Sequence, residues 1–106
     1  MHAQIITYQL KDISEAEYLD KMVQTDAPLL ATIPGLVSKV WLSDPATNTY
    51  GGFYLWQSCQ AMENFNNSDL LKAVAARPYL ANITSKDYVV SENPTRITRG
   101  ITLPTS

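Results

Sequence analysis

The chain has 106 residues, 45% of them apolar and 17% charged, which is a globular rather than a disordered composition. That length suits a single domain spanning 1–106, with one core and one site, that gains stability by pairing with a second copy. A net charge of −2 without a Lys/Arg cluster argues against nucleic acid as a partner, and the absence of a roughly 20-residue apolar run or a secretory leader argues against a membrane span and for a cytoplasmic location.

Residues 3–10, AQIITYQL, are β-branched and aromatic on both faces, as an internal strand would be. Ser14 and Glu17 then form a capping box, and Tyr18, Leu19, Met22, Val23, Leu29, Leu30 and Ile33 recur at helical spacing, which predicts a helix over 14–32. Pro28 removes one backbone donor from it and bends it; Pro34 and Gly35 stop it.

Residues 36–43 and 51–58 are two β-rich runs joined by the polar turn DPATNT at 44–49, the pattern of a hairpin. A broken helix follows, started by Ser58 with Met62 and Phe65 on one side, restarted at Ser68 or Asp69 through Leu70, Leu71 and Val74, and ended by Pro78. Residues 83–90 predict a fourth strand, and the tail from Pro94 carries a short strand at 96–102. The order β-α-β-β-α-β is the ferredoxin-like split motif, an α+β fold with an antiparallel sheet.

The hairpin holds the candidate chemistry. Alternate strand residues share a face, so Val37, Lys39, Trp41 and Ser43 point one way, as do Tyr54, Trp56 and Ser58 on the next strand. In the preferred register Trp41 lies opposite Tyr54 and Lys39 opposite Trp56; a slip of one would set Trp41 against Phe53 or Leu55. Each aromatic taken singly suits a core, but Lys39, Tyr54 and Trp56, with Tyr8 from the first strand, also supply the apolar lining with a few polar groups that small-molecule pockets use. Gly51-Gly52 suits either a bend with close chain approach or a plain strand-opening turn.

Other candidates are weaker. His2 is the sole histidine and is expected to be mobile near the start, so no His-based relay or metal site can be assembled, and no metal is expected. Cys59 cannot form an internal disulfide and reads as a small buried thiol. Asp26, Glu63, Asp69 and Asp87 read as solvated rather than paired as acid and base. Phosphate-cradling glycine loops are absent, which removes the usual case for a nucleotide or flavin.

The motifs IPGLVSKVW at 33–41, GGFYLW at 51–56 and PTRITRG at 94–100 resemble the YdhR family of monooxygenases, with the likeness running over nearly the whole chain. That resemblance implies the dimeric α/β-barrel superfamily: a homodimer whose two sheets pack together, with a pocket in each subunit between sheet and helices. Together with the mixed polar and aromatic hairpin, this resemblance points to a cofactor-independent oxygenase acting on a small aromatic or polyketide-like substrate. Lys39, Tyr54 and Tyr8 would be catalytic, and Trp41, Trp56, Phe65 and Met22 would bind substrate. The segment 56–72 is also similar to the heme-degrading branch, whose strand-one Asn, Trp and axial His fall near Thr7, Phe65 and Ala75; none is kept, so no heme is expected. A non-oxidative isomerase or cyclase, and a ligand-binding protein without turnover, are the alternative readings.

Overall fold

The computed structural model describes residues 1–101. Strand β1 (His2–Leu10) is followed by α1 (Glu15–Lys21), a π-helical turn (Met22–Asp26) and α2 (Ala27–Leu30), which together fill the span of the expected first helix. Ser14 caps α1, its hydroxyl accepting from the Glu17 N–H at 3.1 Å. Pro28 has no N–H for the carbonyl of Gln24. The helix accommodates this by widening over 22–26, where the Ala27 N–H reaches back five residues to the Met22 carbonyl. The wider turn directs Met22 and Asp26, one at each of its ends, into the interior.

Strands β2 (Leu36–Asp44) and β3 (Thr49–Trp56) form the hairpin, α3 (Cys59–Asn66) and α4 (Asp69–Ala75) form the broken second helix, and β4 (Leu80–Val89) completes a sheet of order β2-β3-β1-β4. Every pairing is antiparallel. This is the ferredoxin-like α+β fold, and the main core lies between one sheet face and the helices, around Ile6, Tyr18, Met22, Tyr54, Trp56 and Phe65.

The structure corrects the hairpin register. Lys39 lies opposite Tyr54 and Trp41 opposite Gly52, a shift of two from the preferred pairing rather than the slip of one. Because side chains alternate with period two, the shift leaves Lys39, Trp41, Tyr54 and Trp56 on one face. The turn sets it: Asn48 takes a left-handed conformation (φ 52°), the Thr47 hydroxyl donates to Asp44 at 2.8 Å, and Asp44 pairs directly with Thr49. A bulge between Leu36 and Ser38 then turns Leu36, not the expected Val37, toward the core, and Val37 is exposed.

Two further expectations change. β4 begins three residues earlier than expected, at Leu80, and the tail forms α5 (Glu92–Ile97) rather than a strand. Pro94 falls in the first turn of α5, where no intrahelical donor is needed. Glu92 binds Arg96 one turn on at 3.0 Å and the terminal amino group at 3.2 Å. Thr102, the end of the expected tail strand, lies outside the described residues.

Candidate active site

Between the sheet and the helices is a cavity of about 50 Å³, bounded by Ile6 and Tyr8 of β1, Lys39 and Trp41 of β2, Tyr54 of β3, Met22 and Asp26 of the π turn, Phe65 of α3, and Leu71 and Ala75 of α4. Six of the seven residues singled out in the sequence therefore meet in one place. The exception is Trp56, which has no exposed surface, donates its indole N–H to Gln4 Oε1 at 3.0 Å and stacks parallel to Tyr54 at 5.9 Å between centroids. It supports the wall from behind and does not line the space.

Lys39 reaches into the cavity because its neighbour across the hairpin's next pair has no side chain: a Cβ on Gly52 would lie 2.5 Å from Lys39 Cε. Its Nζ donates to the Tyr54 hydroxyl at 2.8 Å and sits 3.4 Å from the centroid of the Trp41 ring. No carboxylate forms an ion pair with it among the described residues. Burial therefore pulls the Lys39 ammonium down to about 7, a fall that the negative charge of Asp26 only partly opposes. Burial pushes the Tyr54 phenol well above its ordinary range and raises that of Tyr8, so both remain proton donors. The Tyr8 hydroxyl shares a short hydrogen bond with the Tyr18 hydroxyl.

Asp26 corrects the expectation of a solvated carboxylate. It is 6% exposed and takes two hydrogen bonds from the Arg77 guanidinium, at 2.5 and 3.0 Å; Arg77 also donates to the Tyr79 hydroxyl at 3.0 Å. The hydrogen bonds to Asp26 raise Arg77 further above its ordinary value. Local sequence patterns do not reveal this pair, because its members lie 51 residues apart. A trace of it was present all the same: Asp26 follows Tyr18 and Met22 at four-residue spacing, an acid on the apolar stripe of a helix. With its oxygens held by Arg77, Asp26 acts on Lys39 only through space and forms no ion pair with it.

The remaining candidates lie elsewhere. His2, expected to be mobile, is buried and bound to Asp87 at 2.6 Å. Cys59 is exposed rather than buried, and local desolvation together with Glu63 raises its thiol, the opposite of activation.

A family model described as "Putative mono-oxygenase ydhR" matches residues 5–101. The chain belongs to this family. Solved structures with the same fold include a protein of unknown function from Nitrosomonas europaea, 17% identical, with a TM-score of 0.73 over 99% of this chain and 95% of that one. SnoaB, a cofactor-independent oxygenase from Streptomyces nogalater, is 19% identical with a TM-score of 0.64 over 87% and 95% of the two chains. The heme-degrader MhuD from Mycobacterium tuberculosis, solved with two hemes in its active site, is 15% identical with a TM-score of 0.68 over 88% and 98%. No curated protein matches the chain.

Heme does not fit the cavity. The position expected for an axial histidine, Ala75, does line it, but the lining carries no imidazole or thiolate, and both phenol hydroxyls are engaged with Tyr18 and Lys39. Thr7, expected near the strand-one Asn, points to the opposite sheet face, where its hydroxyl meets that of Thr84 at 2.6 Å.

Proposed function

We propose that this protein is a cofactor-independent monooxygenase that binds a small aromatic or polyketide-like substrate as its phenolate or enolate. The observation that carries the reading is Lys39: a single unpaired amine in an apolar cavity, hydrogen-bonded to a phenol and covered by an indole. An amine that titrates near neutrality can take the proton of a substrate hydroxyl and then hold the resulting anion as its ammonium partner. Such an anion is electron-rich enough to reduce O₂ itself: the substrate supplies all four electrons, exchanging two of its hydrogens for one oxygen atom, as when a phenol becomes a quinone, and the other oxygen leaves with those two hydrogens as water. Tyr54 and Tyr8, protonated across the working range, donate to the departing oxygen.

A space of about 50 Å³ holds roughly three or four waters, far below the roughly 300–1,000 Å³ of ligand pockets in general. Trp41 is the wall that this cavity shares with two clefts of about 240 Å³ each, one beside Leu36 and one beside Tyr18. Rotation of that one indole joins the spaces and admits a ring, and an anion drawing Lys39 away from the Trp41 face favours the rotation. Pairing of two copies through the open sheet face belongs to the same proposal.

Oxygen uptake with a panel of dihydroxyaromatics tests the reading. Consumption above the autoxidation of each compound is expected, with a loss of about a hundredfold in Lys39→Met, the scale seen when one stabilising donor is removed. Uptake that equals autoxidation and ignores Lys39→Met would count against it, and a product of unchanged mass would point to isomerisation or cyclisation.

A further inference from the structure

The same amine meets the requirements of a different chemistry. A lysine attacks a carbonyl only through its lone pair, so it must be held without a carboxylate partner, in largely apolar surroundings, with an acid at hand to protonate the departing hydroxyl. Lys39 has each of these. Its Nζ lies 2.8 Å from the Tyr54 hydroxyl: as the ammonium it donates there, and once neutral it accepts from the phenol, which gives up the lone pair when a carbonyl oxygen takes over that hydroxyl. The carboxylate that also lines the cavity, Asp26, is committed to both guanidinium nitrogens of Arg77. The Tyr54 hydroxyl, kept protonated by burial, stands beside the nitrogen where a carbinolamine would form.

We propose that Lys39 is a covalent carbonyl site, which condenses with small aldehydes to form an imine inside the cavity. The Nζ lone pair adds to the carbonyl carbon, and a proton passes from nitrogen to oxygen to give the carbinolamine. Tyr54 then donates to the hydroxyl, which leaves as water as the C=N bond forms, and it regains its proton from the iminium nitrogen. Nothing is oxidised or reduced. The size of the cavity sets the class of ligand: about 50 Å³ takes a carbonyl of a few non-hydrogen atoms without movement of Trp41. The inference uses the residue on which the oxygenase reading rests, yet requires neither oxygen nor an aromatic ring.

The test is reductive trapping of the full chain with propanal and cyanoborohydride near neutral pH, followed by intact mass and peptide mapping. Lys11, Lys21, Lys72 and Lys86 serve as internal standards within the same molecule. One propyl adduct on Lys39 is expected, formed about a hundredfold faster than on the other four lysines, from the larger neutral fraction of a buried amine after allowing for its lower basicity. Tyr54→Phe should keep the adduct on Lys39 and slow its formation about tenfold. Labelling spread evenly over the lysines, or confined to the terminal amine, overturns the proposal, as does a Tyr54→Phe rate equal to wild type. The two readings of the site fail separately: oxygen uptake without an adduct overturns the imine, whereas an adduct without oxygen uptake supports the imine and overturns the oxygenase.

Discussion

Lys39 is held in the cavity at the expense of its charge, and this has a consequence for stability. In the unfolded chain a lysine titrates near 10.4; in the folded protein Lys39 titrates near 7. Between those values the unfolded state carries a proton that the folded state lacks, so this group makes stability rise with pH across that window. Below about pH 7 both states are protonated and the folded protein bears the full cost of the buried ammonium. Of the groups that face Lys39, Tyr54 and Tyr8 remain protonated throughout and Asp26 is bound to Arg77. Lys39→Met should therefore be more stable than wild type by about 1–3 kcal/mol at pH 6, with the advantage shrinking toward pH 9.5. Urea denaturation at the two pH values measures this, and a difference that does not change with pH would contradict it. Gly52 acts on the same amine through space alone. Gly52→Ala would bring a methyl group against the flexible end of Lys39. It should displace the ammonium from Tyr54 and lower both aldehyde trapping and activity at least tenfold, at a stability cost of only about 1 kcal/mol; a fully active G52A would show that Lys39 needs no such room.

At the scale of elements, the π turn and the hairpin share the work of building the site. The turn swings Asp26 inward, and the segment after α4 delivers Arg77 to it across 51 residues. Removing the guanidinium strands a buried carboxylate, so Arg77→Met should cost about 3 kcal/mol, read as a lower urea midpoint with an unchanged slope. Asp26→Asn, which removes the charge and keeps the shape, should cost less; the reverse order would mean that Arg77 acts mainly through packing. The hairpin shows how far pattern reading carries. Alternation set Lys39 with Trp41 and Tyr54 with Trp56, the preferred register joined the two pairs on a common face, and the observed even shift of register preserves that. The pairing itself depends on how tightly Asn48 turns the chain, and the polar turn sequence is compatible with more than one answer.

At the scale of the whole molecule, the sheet face away from the helices carries exposed apolar side chains. Val40, Phe53 and Ile5 form a row across it, flanked by Leu42 and Tyr88, and Val40 and Tyr88 are more than half exposed. An apolar sheet face left in water is unfavourable in proportion to its area, which supports the proposed pairing of two copies there. Light scattering after size exclusion should give twice the chain mass, and Val40→Glu should shift it toward the single chain at micromolar concentration; a single-chain mass for the parent would refute the pairing. Leu55 and Ala3 on this face are buried, so part of it is already covered within one chain.

Sequence by itself determined the order of elements, the ferredoxin-like class and the family, and it singled out six residues that line one cavity. These follow from periodicity, caps and local motifs, which are properties of short stretches of chain. Tertiary structure alone decided the rest: that Trp56 stands behind the wall, that Asp26 pairs with Arg77, that α5 replaces a tail strand, and that Lys39 sits in the cavity without an ion-pair partner among the described residues. Each depends on groups far apart in the chain meeting in a space of low polarity, where a partner found or missed outweighs any local preference.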